Sequence, residues 1–298
     1  MTLDDISRRE LAPMLGGVGA GAAFLFGSSK SSIGAINLEL PTDPAGQNQA
    51  LIRMMGTSGS DRVVWKTKGK IFAIFPDKVE LLYGMRGSES TWWKQVDEDS
   101  WVRYNSTMSF FEDPETGTFI DEFTSPFNGE TLKLNASYIR HKEGEYFTPM
   151  GHYYGSMKKI FPDHYPNKPL NLAWLLDSGI IRYQNGSNFP PILPEPSLEY
   201  ATMFSRVSEV LDPNVETPSG MSAGWNIFSG QRPDYVAMGI PPGHIIWHFD
   251  AVKIFSVDKL DTDYLERARA HSELFDQSPE FDEGPSFFER ILKRLNKE

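Results

Sequence analysis

Strict alternation of polar and apolar residues is the feature that most constrains this chain. In Trp65-Lys66-Thr67-Lys68-Gly69-Lys70-Ile71 the lysines recur at every second position. Successive side chains of an extended strand point to opposite faces, so this run predicts a half-exposed β-strand. Val79, Leu81, Tyr83 and Met85 repeat the period of two. Over residues 101–111, Val102, Tyr104, Met108 and Phe110 fall on one side, and Arg103, Asn105 and Thr107 on the other. Strands with one polar face belong to an antiparallel sheet.

Turn chemistry divides the rest. Asp113-Pro114-Glu115-Thr116-Gly117 is a turn sequence, with Asp, Pro and Gly where turns use them. Strands are expected at 119–123 and 131–139 around a turn at 126–129, and a hairpin is expected where 142–145 leads into 146–148. Residues 149–196 are rich in proline and read as one long loop, a kind of segment that is usually functional. Further strands are expected at 225–228, 235–238 and 244–257, and 198–210 reads as strand or helix, its aromatic and Thr content favouring strand. Helical spacing over 45–55 ends at Gly56, a helix is expected from an Asp261 cap to about residue 275, and Ser286-Phe287-Phe288-Glu289 is a capping box. These elements predict a mainly β domain: a curved antiparallel sheet or β-barrel-like fold with peripheral N- and C-terminal helices.

The first 30 residues stand apart. Ser7-Arg8-Arg9-Glu10-Leu11 resembles a twin-arginine export signal, followed by a weakly apolar, glycine- and alanine-rich run to Phe26. That run is shorter than the roughly 20 strongly apolar residues of a membrane span. The expected organisation is a signal segment at 1–30, a linker at 31–42 and a single β-rich domain at 43–298. The expected location is periplasmic or extracytoplasmic, with the twin-arginine export machinery as a partner. No Ala-x-Ala follows the apolar run, so release and tethering by an uncleaved signal both stay open.

Composition removes several function classes. The chain has no cysteine, which excludes disulfides, thiolate catalysis, iron–sulfur clusters and cysteine zinc sites. A net charge of −11 argues against nucleic acid, whose phosphates require a basic face. Gly-x-Gly-x-x-Gly and phosphate-loop motifs are absent, so no cofactor is expected. The aromatic complement, 20 Phe, 11 Tyr and 7 Trp, suits strands and the walls of an apolar pocket. The sequence leaves the oligomeric state open.

Two segments resemble a known family. They are Phe110-Phe111-Glu112-Asp113-Pro114-Glu115-Thr116-Gly117 with the following Asp121-Glu122-Phe123-Thr124-Ser125-Pro126-Phe127-Asn128-Gly129-Glu130, and the later Met238-Gly239-Ile240-Pro241-Pro242-Gly243-His244-Ile245-Ile246-Trp247-His248. Leu51-Ile52-Arg53-Met54-Met55-Gly56 adds to the likeness. Together they are similar to domain of unknown function family 1838, over about residues 45–260. Ser125 stands where that pattern has Asn, and Asn128 where it has Thr. The resemblance implies that twin-arginine leaders are common, and it implies no activity and no catalytic residues.

Candidate site residues come from the chain itself. His248 and Asp250 are two apart on one expected strand face, where a base and its orienting carboxylate could converge. His244 shares that face, which either meets solvent or lines a barrel. His244 and His248 lie roughly 13 Å apart along a strand, too far to share a metal without bending, so no metal site is expected. His152 and Tyr154 precede the long loop and suit proton transfer. Arg103 either grips a carboxylate or sits exposed, the exposed placement being favoured. Trp225 and Trp247 are candidate walls of an aromatic ligand site. Two functions follow as expectations. One is a cofactor-independent lyase or isomerase that binds a small aromatic or apolar compound and uses His/Tyr/Asp proton transfer. The other is a non-catalytic envelope protein that holds a hydrophobic ligand. The enzyme reading requires His248 or His152 to be buried beside another titratable group.

Overall fold

The computed structural model describes residues 39–59, 62–165, 167–188, 198–229, 233–241 and 244–295. The twin-arginine leader and most of the linker lie outside the described residues, and residues 38–298 form one unit.

Ten strands form one antiparallel sheet. They are β1 (Arg62–Ile74), β2 (Val79–Asp97), β3 (Ser100–Glu112), β6 (Ser137–Thr148), β7 (Gly151–Tyr154), β8 (Trp174–Asp177), β9 (Ile180–Asn188), β10 (Leu198–Arg206), β11 (Met221–Ser229) and β12 (Ile245–Ile254). Their order is β7-β6-β3-β2-β1-β12-β11-β10-β9-β8. The sheet does not close, and its edges, β7 and β8, are four residues each. Edges this short offer little template for pairing with another chain. A separate hairpin joins β4 (Glu122–Thr124) and β5 (Thr131–Lys133).

The sheet is strongly curved around a helix. Helix α1 (Pro44–Met55) packs in one apolar cluster with Trp93, Trp101 and Phe147 from one half of the sheet, and with Ile181, Tyr183 and Met203 from the other. β6 and β9 are seven strand spacings apart, roughly 34 Å in a flat sheet, so one helix touches both only if the sheet wraps it. A second cluster, Ile71, Tyr83, Met85, Phe111, Trp247 and Phe249 with Phe123 and Phe127 of the hairpin region, fills the opposite end of the concave face. The convex face is covered by helix α5 (Thr262–His271), whose Tyr264 and Ala268 pack on Val64, Met108 and Phe110. Short helices α2 (Gly155–Ile160), α3 (Val207–Val210) and α4 (Pro233–Ala237) lie in connections. Helix α6 (Phe287–Leu295) lays Phe288 against His141 and Tyr154. Its capping box forms as expected: Ser286 N–H donates to Glu289 at 2.6 Å, and Glu289 N–H to Ser286 Oγ at 3.1 Å.

Several local expectations change, each for a physical reason. Val79 and Leu81 are exposed while Leu82 is buried, because a bulge opposite Ile71/Phe72 inserts one residue into β2 and flips the alternation. Residues 142–148 make no hairpin. Gly144, at φ +68°, bulges a continuous β6 opposite Arg103/Asn105, and the turn comes at Thr148–Gly151. Residues 235–238 belong to the α4 region, not a strand. Pro233 opens that helix, as proline favours, and Tyr235 and Met238 bury a face of period three. The expected long loop carries β7, α2, β8 and β9, with 189–197 outside the described residues. Helix α5 ends at His271, and the Asp261 carboxylate bonds Lys66 at 2.6 Å instead of capping the helix. Gly56 does end α1, at φ −144°. Glycine is needed there because a Cβ would overlap the Trp93 indole. Helices stand at both ends of the described chain, and the N-terminal one, α1, packs into the concave face.

Candidate functional site

Between the two apolar clusters the concave face carries a polar band. The register places Thr67 and Gly69 of β1, Glu89 and Gly87 of β2, and Arg103, Asn105 and Ser109 of β3 on it. His141 and Glu145 of β6 and His152 and Tyr154 of β7 continue it on one side. Glu199 of β10 and Trp225 of β11 lie on the other half of the sheet. Glu199 feels the charges of Glu89, Glu145 and Arg103, so the curvature brings the two halves within electrostatic reach.

Arg103 is the hub. Its Nε donates to Glu145 Oε2 at 3.0 Å, Nη2 donates to the same oxygen, and Nη1 lies 3.4 Å from Glu89 Oε1. The side chains of Arg103, Glu89 and Glu145 are 10%, 8% and 12% exposed, so the favoured exposed placement of Arg103 is corrected. The misleading cue was its parity. Val102, Met108 and Phe110 look like the core side; all three are buried on the convex face, Met108 and Phe110 under α5. Arg103 and Asn105 share parity with Trp101 and Phe111, which also face inward. Asn105 Nδ2 donates to Glu89 Oε1 at 3.2 Å, and Trp225 Nε1 donates to Glu199 Oε1 at 2.5 Å. The Trp225 ring lies 4.9 Å from that of Phe249.

The electrostatics follow from burial and from an excess of carboxylates. Burial raises the Glu89 pKa, partly offset by Arg103. Burial, with Glu89 and Glu145 nearby, pushes Glu199 up to about 7 against the opposing Trp225 hydrogen bond. Burial pulls Arg103 down, but Glu145 and Glu89 outweigh it and its pKa is raised. Burial and Glu145 hold Tyr154 well above the ordinary phenol value. Burial lowers His152 and takes His141 down to about 3, so both imidazoles are neutral at pH 7. Chemically, the band offers one carboxyl that exchanges protons near neutrality, one phenol that keeps its proton, and one fixed cation.

The eight candidate residues therefore separate. Arg103, His152, Tyr154 and Trp225 come together in the band. Trp247 is buried in the second apolar cluster, beside it. His248 and Asp250 face the opposite, convex side and do not converge. His248 Nδ1 bonds Asn226 Oδ1 at 2.7 Å, and Asp250 accepts from Gly224 N–H at 2.9 Å. Both thereby pin the β11 bulge between Ser222 and Trp225, where Gly224 has φ +62°. His244 sits at the rim, its ring 6.5 Å from that of Phe75. Glu89, Asn105, His141, Glu145 and Glu199 were not singled out in the sequence. The available signal was parity: Glu89 alternates with Tyr83, Met85 and Trp93, a carboxylate on an apolar side.

Among the described residues no group of three His, Asp or Glu is placed to hold a metal ion, and no helix is long and apolar enough to cross a membrane. Two surface clefts, of about 220 and 150 Å³, lie elsewhere. One is lined by Phe110, Arg267 and His271 and the other by Arg140, Lys142 and Asp282, and no band residue lines either. No curated protein and no solved structure matches the chain. Residues 60–287 match the family model described as "Protein of unknown function (DUF1838)", a span that takes in all ten main strands whole, with the entire polar band. With most of its length matched, the chain belongs to the DUF1838 family.

Proposed function

We propose that the concave band binds a small aromatic or apolar molecule and acts on it by proton transfer without a cofactor, as a lyase or isomerase. The observation that carries this reading is Glu199, a carboxyl with its pKa near 7, held by the Trp225 indole and facing a protonated phenol and a fixed guanidinium. A general base works best when its pKa lies near the working pH. Glu199 takes the base role expected of His248 and Asp250, Tyr154 supplies a proton or steadies a developing oxyanion, and His152 lines the site as a neutral donor or acceptor. Arg103, locked between Glu145 and Glu89, orients polar groups and does not titrate. Export by the twin-arginine route remains part of the proposal, on the strength of Ser7-Arg8-Arg9.

The test is deuterium wash-in. The purified chain is incubated in D2O with a panel of small aromatic carbonyl and hydroxy compounds, and C–H exchange is followed by NMR. Exchange in at least one compound, abolished by E199Q and reduced by Y154F, is the expected result. A ligand retained without any exchange would make the protein a non-catalytic binder. Exchange unaffected by E199Q would remove Glu199 from the chemistry.

A further inference from the structure

The polar band is unbalanced. Three carboxylates, Glu89, Glu145 and Glu199, face one guanidinium, and Arg103 already bonds Glu145 and lies against Glu89. Both imidazoles and the Tyr154 phenol are neutral there at pH 7. The Trp225 indole donates to one oxygen of Glu199.

Two buried side chains add acceptors that the fold leaves unused. Asn105 is 6% exposed and Thr67 4% exposed, yet Asn105 Oδ1 and Thr67 Oγ1 have no hydrogen-bond partner. The Asn105 amide cannot be turned around, because its Nδ2 must face Glu89 Oε1. Thr67 Oγ1 and Ser109 Oγ converge over Gly87, where a Cβ would meet both. Buried polar groups are nearly always satisfied, so unused acceptors beside surplus carboxylate indicate a donor that arrives from outside. Aromatic faces surround the same band: Trp225, Tyr154, Tyr183 and Trp93. Such faces attract an organic cation and not an anion.

We propose that the band selects a ligand carrying a protonated amine on a small aromatic or apolar body. The inference rests on the reading of the band as the functional site and adds the charge of its ligand. The ammonium group pairs with the surplus carboxylate, and the apolar body lies among the aromatic rings. An anionic ligand meets net negative charge in a setting of low dielectric and is rejected.

The experiment uses the full chain and three probes of nearly equal shape: 2-phenylethylamine, 2-phenylethanol and phenylacetate. Binding is read by isothermal titration and by native mass spectrometry, with E199Q as the variant and circular dichroism as the check of its fold. The expected result is binding of the amine at least tenfold tighter than the alcohol, no binding of the acid, and a tenfold loss for the amine alone in E199Q. Equal binding of alcohol and amine, or tighter binding of the acid, overturns the charge inference and leaves the band standing as a site. Amine binding unchanged in E199Q places it elsewhere and overturns the inference. Failure of all three probes overturns both the inference and the reading beneath it.

Discussion

Replacing Arg103 by Met removes the one cation of the polar band while keeping most of its length. Glu145 loses two donors and Glu89 its ion-pair partner. All three side chains are about nine-tenths buried, so solvent does little to screen the loss. Breaking a buried pair by deleting one partner costs about 3–5 kcal/mol, because the remaining charge is stranded. For a domain of this size 1 kcal/mol shifts Tm by about 2–4 °C, so R103M is expected to unfold about 6–20 °C below the parent at pH 8. The pH dependence has a definite sign. Glu89 has a raised pKa in the fold, so the folded state holds its proton at a pH where the unfolded state has released it. Stability from this group is therefore present below the unfolded carboxyl value of about 4.3 and falls as pH rises toward the folded value. Losing Arg103 enlarges that effect, so the deficit of R103M must shrink between pH 8 and pH 5. Thermal unfolding followed by circular dichroism at both pH values measures it. A loss below about 1 kcal/mol, the range of an exposed pair, or a loss independent of pH, would refute the placement of Arg103 between two buried carboxylates.

Three further outcomes are expected. The bulge in β2 buries Leu82 and exposes Leu81, so L82A should cost about 2–5 kcal/mol and L81A less than about 1 kcal/mol, measured by denaturant unfolding; the reverse order would restore simple alternation. S286A removes the capping box of α6 at a cost of about 1 kcal/mol, seen as faster amide exchange in 287–295 with the sheet unchanged. Substituting both arginines of the leader, R8K with R9K, should hold the protein in the cytoplasm on cell fractionation if the twin-arginine route carries it.

Much of the fold could be read from period-two patterning, because strands such as β1 and β3 put alternate residues into different environments. The patterning did not say which face was concave. The apolar side of β3 met a covering helix, and the side with Arg103 and Asn105 faced the interior, so both faces were buried and alternation lost its usual meaning. The candidate site was half legible for the same reason. Arg103, His152, Tyr154 and Trp225 stand out as chemistry-bearing residues in any strand. Glu89, Glu145 and Glu199 look like ordinary surface carboxylates until the sheet's curvature, created by α1 packing against strands far apart in order, turns them toward one another. His248 and Asp250 had a plausible spacing, but the direction of β12 is set by Trp247 and Phe249, which need the core and send their neighbours outward.

A carboxyl NMR titration shows whether the interior holds a carboxyl poised near neutrality. With glutamate labelled at its side-chain carbon, one resonance should titrate with a midpoint near pH 7 and be missing from E199Q. If every glutamate titrates in the ordinary range, at about 4.3, Glu199 is not held in a buried acidic band and the account is contradicted.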